Sequence, residues 1–341
     1  MHIRRWLAAA ATSLLALPWG AHAATDIKMV LNWKYQGPQA WFLLAQDRGY
    51  FRDEGLNVTI DQGEGSAAAI TKVAAGAYDV GFGDLNALID LAARRPESAP
   101  VAVYMLYNVP PFTIATRRDG PIQGPADLPG KTLGAPANDA ALKLFPAFAN
   151  RAGFAADQVE ILNMAPNLRE PMLMRGQVDG VIGYYSTIYF SARRLGLDPE
   201  KDLRFIDFVD HGLDLYSNAI VFSRPFVAKH PEAVAGFLRA VNRAINDVIA
   251  NPEVGLDALM KREPLLDRAM ERDVLRSAMT VEMNHPEIQA IGLGDYDDAR
   301  MERALDIITQ VNALPRRPNA GEIFDRAFLP PREQRPSTLQ P

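Results

Sequence analysis

The stretch NWKYQGPQAW, Asn32 to Trp41, crowds amides, aromatics, a lysine and a glycine between an apolar run, IKMVL, and a helix opening, FLLAQDRGYF. Aromatic rings offer a flat apolar wall and amides offer directional hydrogen bonds, the usual lining of a small-molecule pocket. Asn32, Trp33, Tyr35 and Gln36 are therefore candidate ligand contacts, with Trp33 and Tyr35 alternatively packing on the surface of their own unit. The same residue types recur after other strand-like runs. QGEGS supplies Glu64, Gly65 and Ser66, and GFGDLN supplies Asp84. MLYNVPP supplies Tyr107 and Asn108, and GAPANDAA supplies Asn138 and Asp139. IGYYS supplies Tyr184 and Tyr185, and GLDLYS supplies Asp214. Asp84 and Asp139 each stand where a helix begins, so each either meets a ligand or caps that helix.

Lys34 is the lone basic residue of the strongest loops. A sulfonate or inorganic anion is usually met by arginine, lysine or a free helix N-terminus. Here acidic residues stand in those places. The pocket is thus expected to take a small, largely planar molecule with hydrogen-bond donors, paired across the cleft by Trp33 and Tyr185. Signs of catalysis are missing. His211, His230 and His285 are scattered, cysteine is absent, and no nucleophile-elbow, zinc-protease or phosphate-loop motif occurs. No catalytic residue, metal or cofactor is expected, and the chain reads as a non-enzyme.

The elements that must position these residues alternate strand and helix, which implies α/β units with helices on both faces of their sheets. One unit runs from IKMVLN to VAVYMLYN and a second from FTIATR to SNAIVFS. Long amphipathic helices follow Arg224. The reading is two α/β lobes with a cleft between them, joined by a two-crossing hinge at residues 112–117 and 218–223. Lobe 1 takes 24–114 and 222–330, lobe 2 takes 115–221, and 331–341 form a tail. Ligands of open α/β sheets bind at the carboxyl ends of strands, where the candidate residues lie. Residues 1–23, with Arg4, Arg5, an apolar stretch and Ala-His-Ala, read as a cleavable signal peptide. The chain offers no cysteine for a lipid anchor.

The composition, 48% hydrophobic and 23% charged, is ordinary globular, and a net charge of -5 argues against a nucleic-acid partner. Three segments, LNWKYQGPQAWFLLAQDRGYFRDEGLNVTI, KVAAGAYDVGFGD and DLPGKTLGAP, resemble in order those of ABC-transporter substrate-binding proteins of the nitrate/sulfonate/thiamine-pyrimidine-precursor type. AQDRGYFRDEGLNV is the most specific. GYYSTIYF, GLDLYSNAIVFS and PEAVAGFLRAVNRAI keep to the pattern, so the resemblance spans nearly all of the chain after the leader. It implies a type II periplasmic binding fold, a monomer that closes on a solute in the periplasm and delivers it to an ABC permease in the inner membrane. The solute implied is pyrimidine-precursor-like. A sulfonate or taurine binder, or an enzymatic or sensory use of the fold, is the alternative. Asn32 stands where the pyrimidine-precursor binders have aspartate. Eukaryotic relatives are pyrimidine-synthesising enzymes with cysteine- and histidine-containing motifs, from which this cysteine-free chain departs.

Overall fold

The computed structural model describes residues 24–339; the expected signal peptide lies outside the described residues. Among them no helix is long and apolar enough to cross a membrane.

The first lobe opens with β1 (Thr25–Val30), α1 (Ala40–Asp47), α2 (Tyr50–Asp53) and β2 (Leu56–Asp61). It continues through α3 (Ser66–Ala74), β3 (Val80–Asp84), α4 (Leu85–Arg94) and β4 (Val101–Met105). Pro38 is the second residue of the 3-10 turn Gly37–Gln39 before α1, where its missing N–H costs nothing. The second lobe holds β5 (Phe112–Arg117), β6 (Thr132–Ala135), α5 (Ala140–Ala152), β7 (Glu160–Asn163) and α6 (Arg169–Met174). β8 (Gly180–Tyr184), α7 (Tyr185–Arg194), α8 (Pro199–Asp202) and β9 (Leu203–Asp207) complete it. β10 (Asn218–Phe222) returns to the first lobe. It leads into α9 (Arg224–Lys229), α10 (Pro231–Ala250), α11 (Pro252–Arg262), α12 (Arg268–Ser277), α13 (Glu287–Ile291) and α14 (Asp298–Val311).

Each lobe is built on a five-stranded mixed sheet, ordered β2-β1-β3-β10-β4 in the first and β7-β6-β8-β5-β9 in the second. β10 and β5 are the antiparallel members. β2 alternates buried and exposed residues as an edge strand does. β4, also last in its sheet, is wholly buried because Phe324 and Gly294 bridge to it and cover the edge. The apolar stripe of α10, Val234, Phe237, Leu238, Val241 and Ile245, is buried, with the Phe237 ring stacked on Phe51 at 5.0 Å. Burying side chains of this size stabilises by roughly 1.5–3 kcal/mol each. The tail does not hang free: Arg335 is buried and donates to the carbonyl of Leu293 at 3.1 Å.

The hinge lies elsewhere than the sequence suggests. The segments expected to cross, FTIATR and NAIVFS, are β5 and β10, each paired on both sides within one sheet. The chain crosses between lobes at residues 106–111 and 212–217. These two segments hold each other through the Ser217 N–H, which donates to the Tyr107 carbonyl at 3.0 Å, and the Tyr107 N–H in turn donates to the Asn218 carbonyl at the start of β10 at 2.9 Å. An extended, apolar hexapeptide reads the same in a hinge and in a sheet, and only its partners distinguish the two.

Candidate functional site

The loop after β1 and the start of α3 face the loop after β6 and the start of α7. Their backbones touch. Gly65 has φ +144°, and a Cβ there would lie 2.4 Å from the carbonyl oxygen of Asn138 in the other lobe. Beside this contact the Ser66 hydroxyl and the Tyr184 phenol are 2.8 Å apart, while the phenol donates to Asn218 Oδ1 at 2.9 Å. One side chain of lobe 2 is thereby tied to lobe 1 at two points, and its burial raises its pKa well above the usual tyrosine range.

Asn32, Trp33, Gly65 and Ser66 from lobe 1 meet Asp139, Tyr184 and Thr187 from lobe 2 around an inner pocket of about 20 Å³, room for roughly one water. Trp33 also walls an outer cleft of about 610 Å³, where Lys34, Gln36 and Glu64 face Asn138, Arg169 and Arg194. That volume lies within the usual range for small-molecule sites, roughly 300–1,000 Å³. Asn32 is oriented by Gln39, whose amide donates to its Oδ1 at 2.9 Å. Asp139 caps α5, accepting the Ala141 N–H at 2.8 Å. Burial pushes its carboxyl up to about 6, with Arg169 opposing the rise.

Nine of the residues singled out from sequence line this cleft: Asn32, Trp33, Gln36, Glu64, Gly65, Ser66, Asn138, Asp139 and Tyr184. The others are placed elsewhere. The Tyr35 hydroxyl donates to the Ile60 carbonyl at 2.7 Å and serves its own lobe. Asp84 is buried as the cap of α4, taking the Ala87 N–H at 2.9 Å, and burial lifts its carboxyl to about 7. Tyr107 and Asn108 are buried in the crossing segment, where Asn108 donates to Glu287 at 2.6 Å. Tyr185 turns into an aromatic group with Phe205, ring centres 4.6 Å apart, so the lobe-2 tyrosine that lines the inner pocket with Trp33 is Tyr184 instead. Adjacent strand-end residues point to opposite faces, and a one-residue difference decides which tyrosine enters. Asp214 pairs with Arg300 at 2.8 Å on the surface of lobe 1.

The structure adds cations that the sequence reading missed. Lys34 is not alone: Arg169 and Arg194 also line the cleft. Arg169 is buried and compensated, at 2.8 Å from Glu170 and 3.9 Å from Asp139. Thr187, Ser191 and Arg194 also line the wall. Their i, i+4, i+7 spacing forms one polar stripe on a helix that begins at a strand end, a legible signal. Arg169 carried none, because REPMLM has no periodic pattern and its acidic partners are assembled by the fold.

The NMT1/THI5-like family profile matches residues 38–254. The chain is 23% identical over 271 residues to the formylaminopyrimidine-binding protein of Halalkalibacterium halodurans, covering 77% of this chain and 79% of that one. It is also 23% identical over 261 residues to the 4-amino-5-hydroxymethyl-2-methylpyrimidine phosphate synthase of Aspergillus parasiticus, covering 74% and 75%. Among solved structures, the alkanesulfonate-binding protein SsuA of Xanthomonas axonopodis pv. citri, bound to MOPS, superimposes with a TM-score of 0.67 at 17% identity, over 89% of this chain and 99% of that one. This likeness shows the type II periplasmic binding fold. The synthase overturns one expectation: missing cysteine and absent catalytic motifs do not set the chain apart as a non-enzyme, since an enzyme is as similar to it as a binding protein is. Binding proteins and pyrimidine synthases thus share one sequence pattern, and on its match over residues 38–254 this chain belongs to the NMT1/THI5-like family.

Proposed function

We propose that the chain is the periplasmic solute-binding component of an ABC importer, capturing a small, planar, nitrogen-containing solute of the aminopyrimidine kind and passing it to an inner-membrane permease. The observation that carries this reading is the interlobe cleft of about 610 Å³, walled by Trp33 and closed at its inner end by the Ser66–Tyr184 bond of 2.8 Å between the lobes. A flat ring stacked on Trp33 gains about 0.5–1.5 kcal/mol beyond area burial. Glu64 and Asn138, on facing sides of the cleft, supply acceptors for its ring and amino N–H groups. The buried Arg169 is balanced by Glu170 and Arg194 by Glu271, which leaves Lys34 as the one cleft cation without an ion pair among the described residues. The formylaminopyrimidine-binding relative supports the same solute class.

Calorimetry with formylaminopyrimidine and 4-amino-5-hydroxymethyl-2-methylpyrimidine, against taurine and an alkanesulfonate, tests the reading. The pyrimidines are expected to bind, and Trp33→Ala to weaken them about tenfold or more with an unchanged unfolding midpoint. Tight binding of taurine or the sulfonate with none for the pyrimidines would refute it.

A further inference from the structure

The C-terminal helices pack on lobe 1, but two of them also reach lobe 2: α14 touches α5, and α12 with the π-helical turn Ala278–Glu282 that follows it meets α7. Three acidic residues zip the two together. Arg194 donates to Glu271 at 2.6 Å; the Glu271 side chain is fully buried, and its second oxygen accepts the Gly37 N–H at 2.8 Å in the cleft loop of lobe 1. Next to it Arg193 donates to Asp273 at 2.9 Å. At the other end the Ser186 hydroxyl donates to the Glu282 carboxyl, which the Tyr107 phenol of the crossing segment also faces. The backbone joins in there, the Val109 N–H donating to the Glu282 carbonyl at 2.8 Å. A single seam therefore touches the cleft loop, the crossing segment and the lobe-2 helix that lines the cleft.

We infer that this seam is the latch of the interlobe cleft, and that Glu282 makes the hold of the latch depend on pH. The inference rests on the proposed reading only for what the closed cleft contains, because closure is measurable without solute. Opening the lobes draws Ser186 away and admits water to Glu282. Glu271 and Asp273 face arginines, whereas Glu282 has no cation partner among the described residues. The groups facing it are the Ser186 hydroxyl of α7 and the Tyr107 phenol. Burial pushes its carboxyl up to about 7, with those two hydroxyls opposing the rise. In an opened, hydrated seam it falls back toward its ordinary value near 4.5. The closed state then binds a proton that the open state releases. Closure is favoured as pH falls through the raised value and is lost as pH rises through it. One proton taken up on closing changes the equilibrium at most tenfold for each step of one in pH, which gives up to about 20-fold between roughly pH 7.5 and pH 5.5. Asp139, with its carboxyl at about 6, and Asp84, at about 7, respond in the same direction wherever closure buries them, so a variant must isolate Glu282.

The chain has no cysteine, which allows a single dye pair at Lys229→Cys in lobe 1 and Arg151→Cys in lobe 2, exposed positions at the ends of α9 and α5. Single-molecule energy transfer in the solute-free protein reads the closed fraction at the two pH values. The expected result is a closed fraction that rises on acidification and a response several-fold smaller in Glu282→Gln, a variant that keeps the hydrogen-bonding shape but cannot titrate. Arg194→Ala should lower the closed fraction at both pH values while leaving Glu282 in place. The same pH response in Glu282→Gln as in the parent, or an unchanged closed fraction in Arg194→Ala with its fold intact, overturns the latch. A pyrimidine screen that fails while the pH response persists refutes the solute reading and leaves the latch supported.

Discussion

Replacing Gly65 by alanine perturbs a point where the backbones of the two lobes approach closely. The added Cβ would sit 2.4 Å from the Asn138 carbonyl oxygen, about 1 Å short of an ordinary contact. Moving the loops apart by that amount stretches the neighbouring Ser66–Tyr184 bond from 2.8 Å to roughly 3.8 Å, beyond hydrogen-bonding range. The bond lost is worth about 1 kcal/mol net, and residual crowding adds to it. A closed-state penalty of about 1–3 kcal/mol corresponds to a 5–150-fold smaller closing constant. A separate cost falls on the fold. Gly65 has φ +144° and ψ 140°, a region nearly reserved for glycine, and alanine there costs of the order of 1–3 kcal/mol. Urea unfolding reads the second cost, and the closed fraction by energy transfer reads the first. A stable Gly65→Ala protein with the parent's closed fraction would refute the claim that the Gly65–Asn138 approach sets how closely the lobes meet.

Three further outcomes follow from the same contacts. Arg169→Ala strands the Glu170 carboxylate, itself only 2% exposed, and should cost about 3–5 kcal/mol in urea unfolding. Tyr35→Phe removes a hydrogen bond to Ile60, should cost about 1 kcal/mol of stability, and should leave solute affinity unchanged because that ring stands outside the cleft. Asp84 has its carboxyl raised by burial from an ordinary 3.8 to about 7. Its contribution is therefore complete at low pH and lost as pH rises through the raised value, a difference of up to about 4 kcal/mol. Asp84→Asn should flatten the stability profile over that window, and a profile identical to the parent's would show that the carboxyl does not titrate there.

Much of the lower-level organisation was legible in the residues themselves. Alternation of apolar runs with helix openings marks two α/β units, because a sheet covered on both faces demands it. Pro38 announces the turn into α1, and the strand-end loops around Asn32, Ser66 and Asn138 announce one side or the other of the cleft. The stripe Thr187, Ser191, Arg194 was there to be read as a helix face. What the residues did not contain is partner choice. FTIATR and NAIVFS have the same composition whether they cross between lobes or lie within a sheet, and only hydrogen bonding to β8, β9, β3 and β4 made them strands. Asp84 and Asp139 each carried two meanings, and both cap helices, yet Asp139 lines the pocket beside Trp33 whereas Asp84 lines a separate interlobe cavity with Lys143 and Leu144. Arg169 could not be assigned a role before Glu170 and Asp139 stood beside it. Local pattern determines which segments become strands, helices and caps, since those preferences act over a few residues. Which tyrosine of Tyr184–Tyr185 enters the pocket, which charges are cancelled, and where the chain can bend are decided by contacts between residues far apart in sequence.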